Sequence, residues 1–120
     1  MTRPLRILLV EDHVDTQHLM SRLLQTFMHD VKSASSIKSA LALASSHPFD
    51  LVITDIGLPD GRGSVLMAQL RQMYNLPGIA VSGFPAEEVD MSAGFCARLI
   101  KPITLEQLER AIRASTDGAS

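Results

Sequence analysis

Only one cysteine, Cys96, occurs in the 120 residues. No internal disulfide can form, so a reduced, cytoplasmic setting is expected, with Cys96 as a small buried apolar residue. No apolar run approaches the roughly 20 residues that a membrane-spanning helix needs. The opening MTRPLRILLVED turns acidic too early to read as a signal peptide. Basic charge is not in excess either: Lys and Arg number 11 against 13 Asp and Glu, for a net charge of −2. That balance argues against a nucleic-acid footprint, which needs a basic face. Internal repeats, low-complexity segments and interdomain linkers are also missing. A single domain over 1–120 is expected, with the tail STDGAS (115–120) frayed.

What is present alternates. Hydrophobic residues make up 46% and charged residues 20%, ordinary for a globular protein. LRILLV (5–10) reads as a strand, and Leu19, Met20, Leu23, Leu24 and Phe27 then recur at helical spacing, with Asp15 in the first turn. DVKSAS (30–35) is a more polar strand, suited to a sheet edge, and Ile37, Ala40, Leu41 and Ala44 mark a second helix. FDLVITDIGLPDG (49–61) supplies a third strand, and Val65, Leu66, Leu70 and Met73 a third helix. GIAVS (78–82), a short helix over 86–93 and ARLIK (97–101) follow. A last helix starts at Thr104, which with Gln107 forms a capping box, and buries Leu105, Leu108 and Ile112. Five strand–helix repeats imply an α/β fold, a doubly wound parallel sheet of order 2-1-3-4-5.

In that topology the functional crevice lies at the carboxyl ends of strands one and three. Strand one ends in Glu11 and Asp12, and strand three in Asp55. Two unit charges about 4 Å apart repel by roughly 4 kcal/mol at an effective dielectric near 20. A hard divalent cation relieves such crowding, and Mg²⁺ (or Mn²⁺) suits one or two carboxylates, waters and a phosphate. Strands four and five end in Ser82, a hydroxyl donor, and Lys101, a point cation. Carboxylate, metal, cation and hydroxyl together describe a phosphoryl site.

These residues resemble the receiver domain of two-component response regulators: Glu11-Asp12, Asp55, Ser82 and Lys101-Pro102, each after its own strand. The resemblance covers about residues 5–114, and DIGLPDGRG and LPGIAVSG look most like receivers of hybrid sensor histidine kinases. It implies that Asp55 is the phosphoacceptor, fed by a sensor histidine kinase or a histidine phosphotransfer protein. It implies Mg²⁺ bound by Asp12, Asp55 and the backbone carbonyl of Gly57, with Glu11 acting through water. Ser82 would hydrogen-bond the phosphoryl group, Lys101 would pair with it, and the Lys101–Pro102 bond would be cis. Such a domain is no enzyme beyond its own phosphotransfer and dephosphorylation. Gly57 and Gly83 either ease water entry or serve turn chemistry.

Other classes fit less well. A flavodoxin-like carrier needs a phosphate-cradling loop after strand one, where EDHVD would repel phosphate, and an aspartyl phosphatase needs an acid where Gly57 stands. GRGSVL lacks the third glycine of a nucleotide fingerprint. His13, His18, His29 and His47 lack ligand spacing, which favours surface or interface roles, although His13 is near the acids. The six methionines read as core filler. The alternative function is a receiver-like interaction module without a phosphorylation switch. Two departures from the family pattern sustain it. Arg98 stands three positions before Lys101, where the family carries an aromatic residue. The segment from Ser82 to Lys101 is also shorter by about three residues, a little under one turn, which implies a shortened fourth helix. Both changes fall on one face, so a monomer is expected, with no nucleic-acid or membrane partner.

Overall fold

Leu51, Val52 and Ile53 are wholly removed from solvent, because helices cover both faces of the sheet at its centre. A continuous apolar run is the pattern such a position selects, and each side chain contributes roughly 1.5–3 kcal/mol by burial. The computed structural model describes residues 3–83 and 89–117. Its main strands are β1 (Arg6–Val10), β2 (Asp30–Ala34), β3 (Leu51–Asp55), β6 (Gly78–Ser82) and β7 (Phe95–Ile100). They form one parallel sheet in the order β2-β1-β3-β6-β7, the expected 2-1-3-4-5 order. Two short strands, β4 (Gly57–Leu58) and β5 (Gly61–Arg62), make a small antiparallel hairpin after β3 that the periodicity does not announce.

The helices are α1 (Val14–Thr26), α2 (Ile37–Ser46), α3 (Gly63–Tyr74) and α4 (Leu105–Asp117). Leu8, Val10, Val52, Ile56 and Ala80 form one core layer with residues of α2 and α3. Ile7, Leu9, Leu51, Ile53, Ile79 and Val81 form the other with residues of α1 and α4. This is the doubly wound arrangement, and it turns the strand ends carrying the acids into a shared rim. No described helix is long and apolar enough to cross a membrane.

Several local expectations change. Leu19, Val65, Met73 and Leu105 are exposed, and the buried faces narrow to Met20 and Leu24, Leu66, Met67 and Leu70, and Leu108 and Ile112. Their apolar type is compatible with the helical period, but each lies off the stripe that meets the sheet. Cys96 is exposed rather than buried. The β6–β7 register skips from Gly78↔Phe95 to Ile79↔Ala97, so Cys96 is the extra residue of a bulge on an edge strand. The expected tail is partly helical: α4 runs to Asp117, and Ser115 is buried with its hydroxyl donating to the Ala111 carbonyl at 2.8 Å. Of the short helix expected over 86–93, residues 86–88 lie outside those described. The described remainder includes one 3₁₀ turn, Met91–Ala93. The capping box holds, with Gln107 N–H donating to Thr104 Oγ1 at 3.1 Å and Thr104 N–H to Gln107 Oε1 at 3.2 Å.

Candidate functional site

Each acid is delivered by the end of a strand. Pairing with β2 continues one residue past β1, Glu11 N–H donating to the Ala34 carbonyl at 3.0 Å. Gln17, one turn into α1, donates its side-chain amide to the Glu11 carbonyl at 2.9 Å and to Ala34 at 3.3 Å. This clamp between α1 and two strand ends was not legible in the sequence, since a glutamine in a first turn carries no signal of its own.

Asp55 ends the central strand, and its Oδ1 accepts from the next backbone N–H, Ile56, at 2.8 Å. The chain then turns tightly: Gly63 N–H donates to the Ile56 carbonyl at 2.7 Å. A side chain is impossible at Gly63, because a Cβ there would lie 2.1 Å from the Asp55 carbonyl oxygen. The hairpin between them is tied to α2 by Asp60, whose two carboxylate oxygens accept from Ile37 N–H at 2.8 Å and Lys38 N–H at 3.0 Å. Those bonds hold the Asp60 carboxyl below its ordinary pKa. Asp60 is thus a helix cap supplied from another segment.

Lys101 reaches back from the end of β7 to both buried acids. Its Nζ lies 2.6 Å from Glu11 Oε1 and 3.1 Å from Asp55 Oδ2, and the two acids are only 2% and 8% exposed. Burial disfavours the ammonium, but hydrogen bonds and attraction from Glu11 and Asp55 outweigh that and raise its pKa. Lys101 N–H donates to the Ser82 carbonyl at 2.9 Å, which fixes these two strand ends to each other. Ser82 is fully buried. Lys101–Pro102 is cis.

One ammonium does not balance three carboxylates. Donor atoms of Glu11, Asp12, His13 and Asp55 all lie within 4.8 Å of one another. Asp12 Oδ1 is shielded from solvent without a hydrogen-bond partner; His13 Nδ1, 3.5 Å away, does not make one. Buried polar atoms are rarely left so, and an orphaned oxygen among acids fits a hard cation. Of the residues expected in the site, Glu11, Asp12, Asp55 and Lys101 converge. Ser82 is placed on the same rim by its backbone, while Gly57 is exposed and pairs with Arg62 in the hairpin.

A family model described as the response regulator receiver domain matches residues 7–113. The response regulator protein PilR of Pseudomonas aeruginosa is 30% identical over 111 residues, 89% of this chain and 25% of PilR. The sensor protein EvgS of Escherichia coli K12 is 35% identical over 109 residues, 88% of this chain and 9% of EvgS. The chain therefore spans a quarter or less of these relatives. A solved CheY-like receiver domain from Methylobacillus flagellatus matches with a TM-score of 0.84 at 28% identity, over 93% of this chain and 98% of that one.

Proposed function

The chain belongs to the response regulator receiver domain family, and from that premise we propose that Asp55 accepts a phosphoryl group from a phosphohistidine. The donor is a sensor histidine kinase or a histidine phosphotransfer protein. The observation that carries this reading is the bridge of Lys101 between Glu11 and Asp55 at the end of the central strand. An ordinary structural ion pair would need one acid, whereas this cation serves two inside a larger acidic cluster.

The Asp55 carboxylate attacks phosphorus in line, the phosphorus–nitrogen bond breaks, and an acyl phosphate results. Lys101 would neutralise charge arriving on the phosphoryl oxygens, and the Ser82 hydroxyl would donate to one of them. Bound Mg²⁺ or Mn²⁺ supplies further charge neutralisation to those oxygens. Asp12 and Asp55 would hold it directly, the Gly57 carbonyl would add a ligand, and Glu11 would act through water. The residues otherwise work by holding reactants in line. A Cβ at Gly57 or Gly83 would meet nothing within 4 Å. Neither position walls off the pocket, which supports water entry and hydrolysis of the acyl phosphate there.

The second reading, a module that acts without phosphorylation, draws on Arg98 in the place of an aromatic residue. Incubation with acetyl phosphate and Mg²⁺, followed by intact mass and site mapping, separates the two. An adduct confined to Asp55 and abolished by chelator is expected. An adduct on Asp55→Asn protein, or one formed equally well in excess chelator, would overturn the assignment.

A further inference from the structure

One member of the acidic cluster is not an acid. His13 occupies the N-cap of α1, where a Ser, Thr, Asp or Asn side chain commonly accepts from the free amides of the first turn. It makes no such bond. Its ring lies instead over the acids, with Nδ1 3.3 Å from Glu11 Oε2 and 3.5 Å from Asp12 Oδ1. Its backbone N–H also donates to Glu11 Oε2 at 3.2 Å. Lys101 takes the other oxygen of the same carboxylate, so the two basic side chains flank Glu11 without competing for one atom.

We propose that His13 contributes an imidazole nitrogen to the ion held by the acids, and so shifts the site from Mg²⁺ toward first-row transition ions such as Mn²⁺, Co²⁺ and Ni²⁺. This rests on the reading that Glu11, Asp12 and Asp55 take a divalent cation. Mg²⁺ is hard, favours oxygen and retains waters, whereas imidazole suits transition ions. A donor set of oxygens alone separates these metals weakly. One nitrogen beside the orphaned Asp12 Oδ1 steepens the order of affinity from Mn²⁺ to Ni²⁺. The His13 side chain is 72% exposed, so its ring turns toward an ion without displacing the core.

The test is calorimetric titration of tag-free protein with Mg²⁺, Mn²⁺, Co²⁺ and Ni²⁺, in the parent, His13→Ala, His13→Asn and Asp12→Asn. Asparagine is a favoured N-cap, so His13→Asn preserves the start of α1. Co²⁺ and Ni²⁺ are expected to bind roughly tenfold more weakly in both His13 variants, with Mg²⁺ affinity little changed. Pulsed electron paramagnetic resonance of the Mn²⁺ form should show imidazole nitrogen coupling in the parent and none in His13→Asn. Equal transition-ion affinity in parent and His13 variants would overturn the proposal and leave the acidic metal site intact. A loss equally large for Mg²⁺ would do the same, because it would mark a structural role. If the parent binds none of the four ions, or Asp12→Asn binds them undiminished, the metal reading itself falls and the proposal with it.

Discussion

Lys101 lies closer to Glu11 than to Asp55, at 2.6 Å against 3.1 Å. The cation is therefore anchored on an acid that is not the candidate phosphoacceptor. When Asp55 is altered, Lys101 keeps a buried partner and is not orphaned, which makes substitutions at Asp55 unusually interpretable.

Asp55→Asn should raise the melting temperature of the metal-free protein. Asparagine keeps an oxygen to accept from Ile56 N–H, while one like charge leaves the pocket. A gain of about 1 kcal/mol corresponds to roughly 3–6 °C in a domain of this size. Mg²⁺ should stabilise the parent more than the variant, since it binds the folded site. Melts at matched ionic strength, with and without Mg²⁺, check both; an unchanged or lower melting point would mean that Lys101 already compensates the acids.

Asp60→Ala should destabilise the start of α2, because two helix amides lose their acceptor. The Asp60 pKa is depressed by those bonds. Its stabilising effect is thus present above the unfolded carboxylate value and is lost as pH falls through the lower folded value. Hydrogen exchange at Ile37 and Lys38 should accelerate in the variant at neutral pH. Protection equal to that of the parent would show that the carboxylate contributes nothing there.

His29 predicts a loss of stability in the same direction, toward acid, but from a base and in a higher pH window. It is buried, its Nδ1 accepts from Leu5 N–H at 3.0 Å, and burial lowers its pKa. As pH falls through the unfolded value of about 6.5, the unfolded chain takes up the proton first, so stability drops until the folded value is reached. Glu109 and Arg113 line a surface groove together with His29 and bring charges of both signs. Melting temperature should therefore decline between about pH 7.5 and pH 5.5, and less steeply in His29→Asn, which can accept the bond without titrating. Parallel curves for the two proteins would remove His29 as the cause.

Activation should leave the protein monomeric. Arg98 is half-buried on the edge strand with Nε shielded from solvent. Its partly buried pose is not that of an aromatic ring alternating between two states. A standard specific interface buries about 1,600 Å², and the segment from Ser82 to Lys101, shorter than the family pattern by about three residues, has less surface to give to one. Light scattering with and without beryllofluoride and Mg²⁺, alongside Arg98→Tyr, is the measurement. An activation-dependent dimer of the parent protein would contradict the expectation.

The sheet order and most strand ends were legible because a strand buried on both faces admits few other sequences than LVIT or GIAV. Glu11, Asp12, Asp55 and Lys101 were legible for the reason that makes them costly: charges do not otherwise sit at the ends of such strands. Helix faces were less so. Val65 and Leu66 are equally apolar, and only the angle at which α3 meets the sheet decides that Leu66 is buried and Val65 exposed. Cys96 misled because residue type suggests burial, while a one-residue bulge reverses the side of the strand. Gln17 and Asp60 act across segments, and such contacts leave no local period to read.

Gly63 leaves no slack between Asp55 and α3. With 2.1 Å between a would-be Cβ and the Asp55 carbonyl oxygen, and with Gly63 N–H bound to Ile56, the end of β3 and the head of α3 behave as one stiff joint. A push on the Asp55 backbone has no soft residue in which to dissipate, so it arrives at α3 as movement of the whole rod. Val65 and Met73, on the exposed side of that rod, are where such movement would be felt from outside.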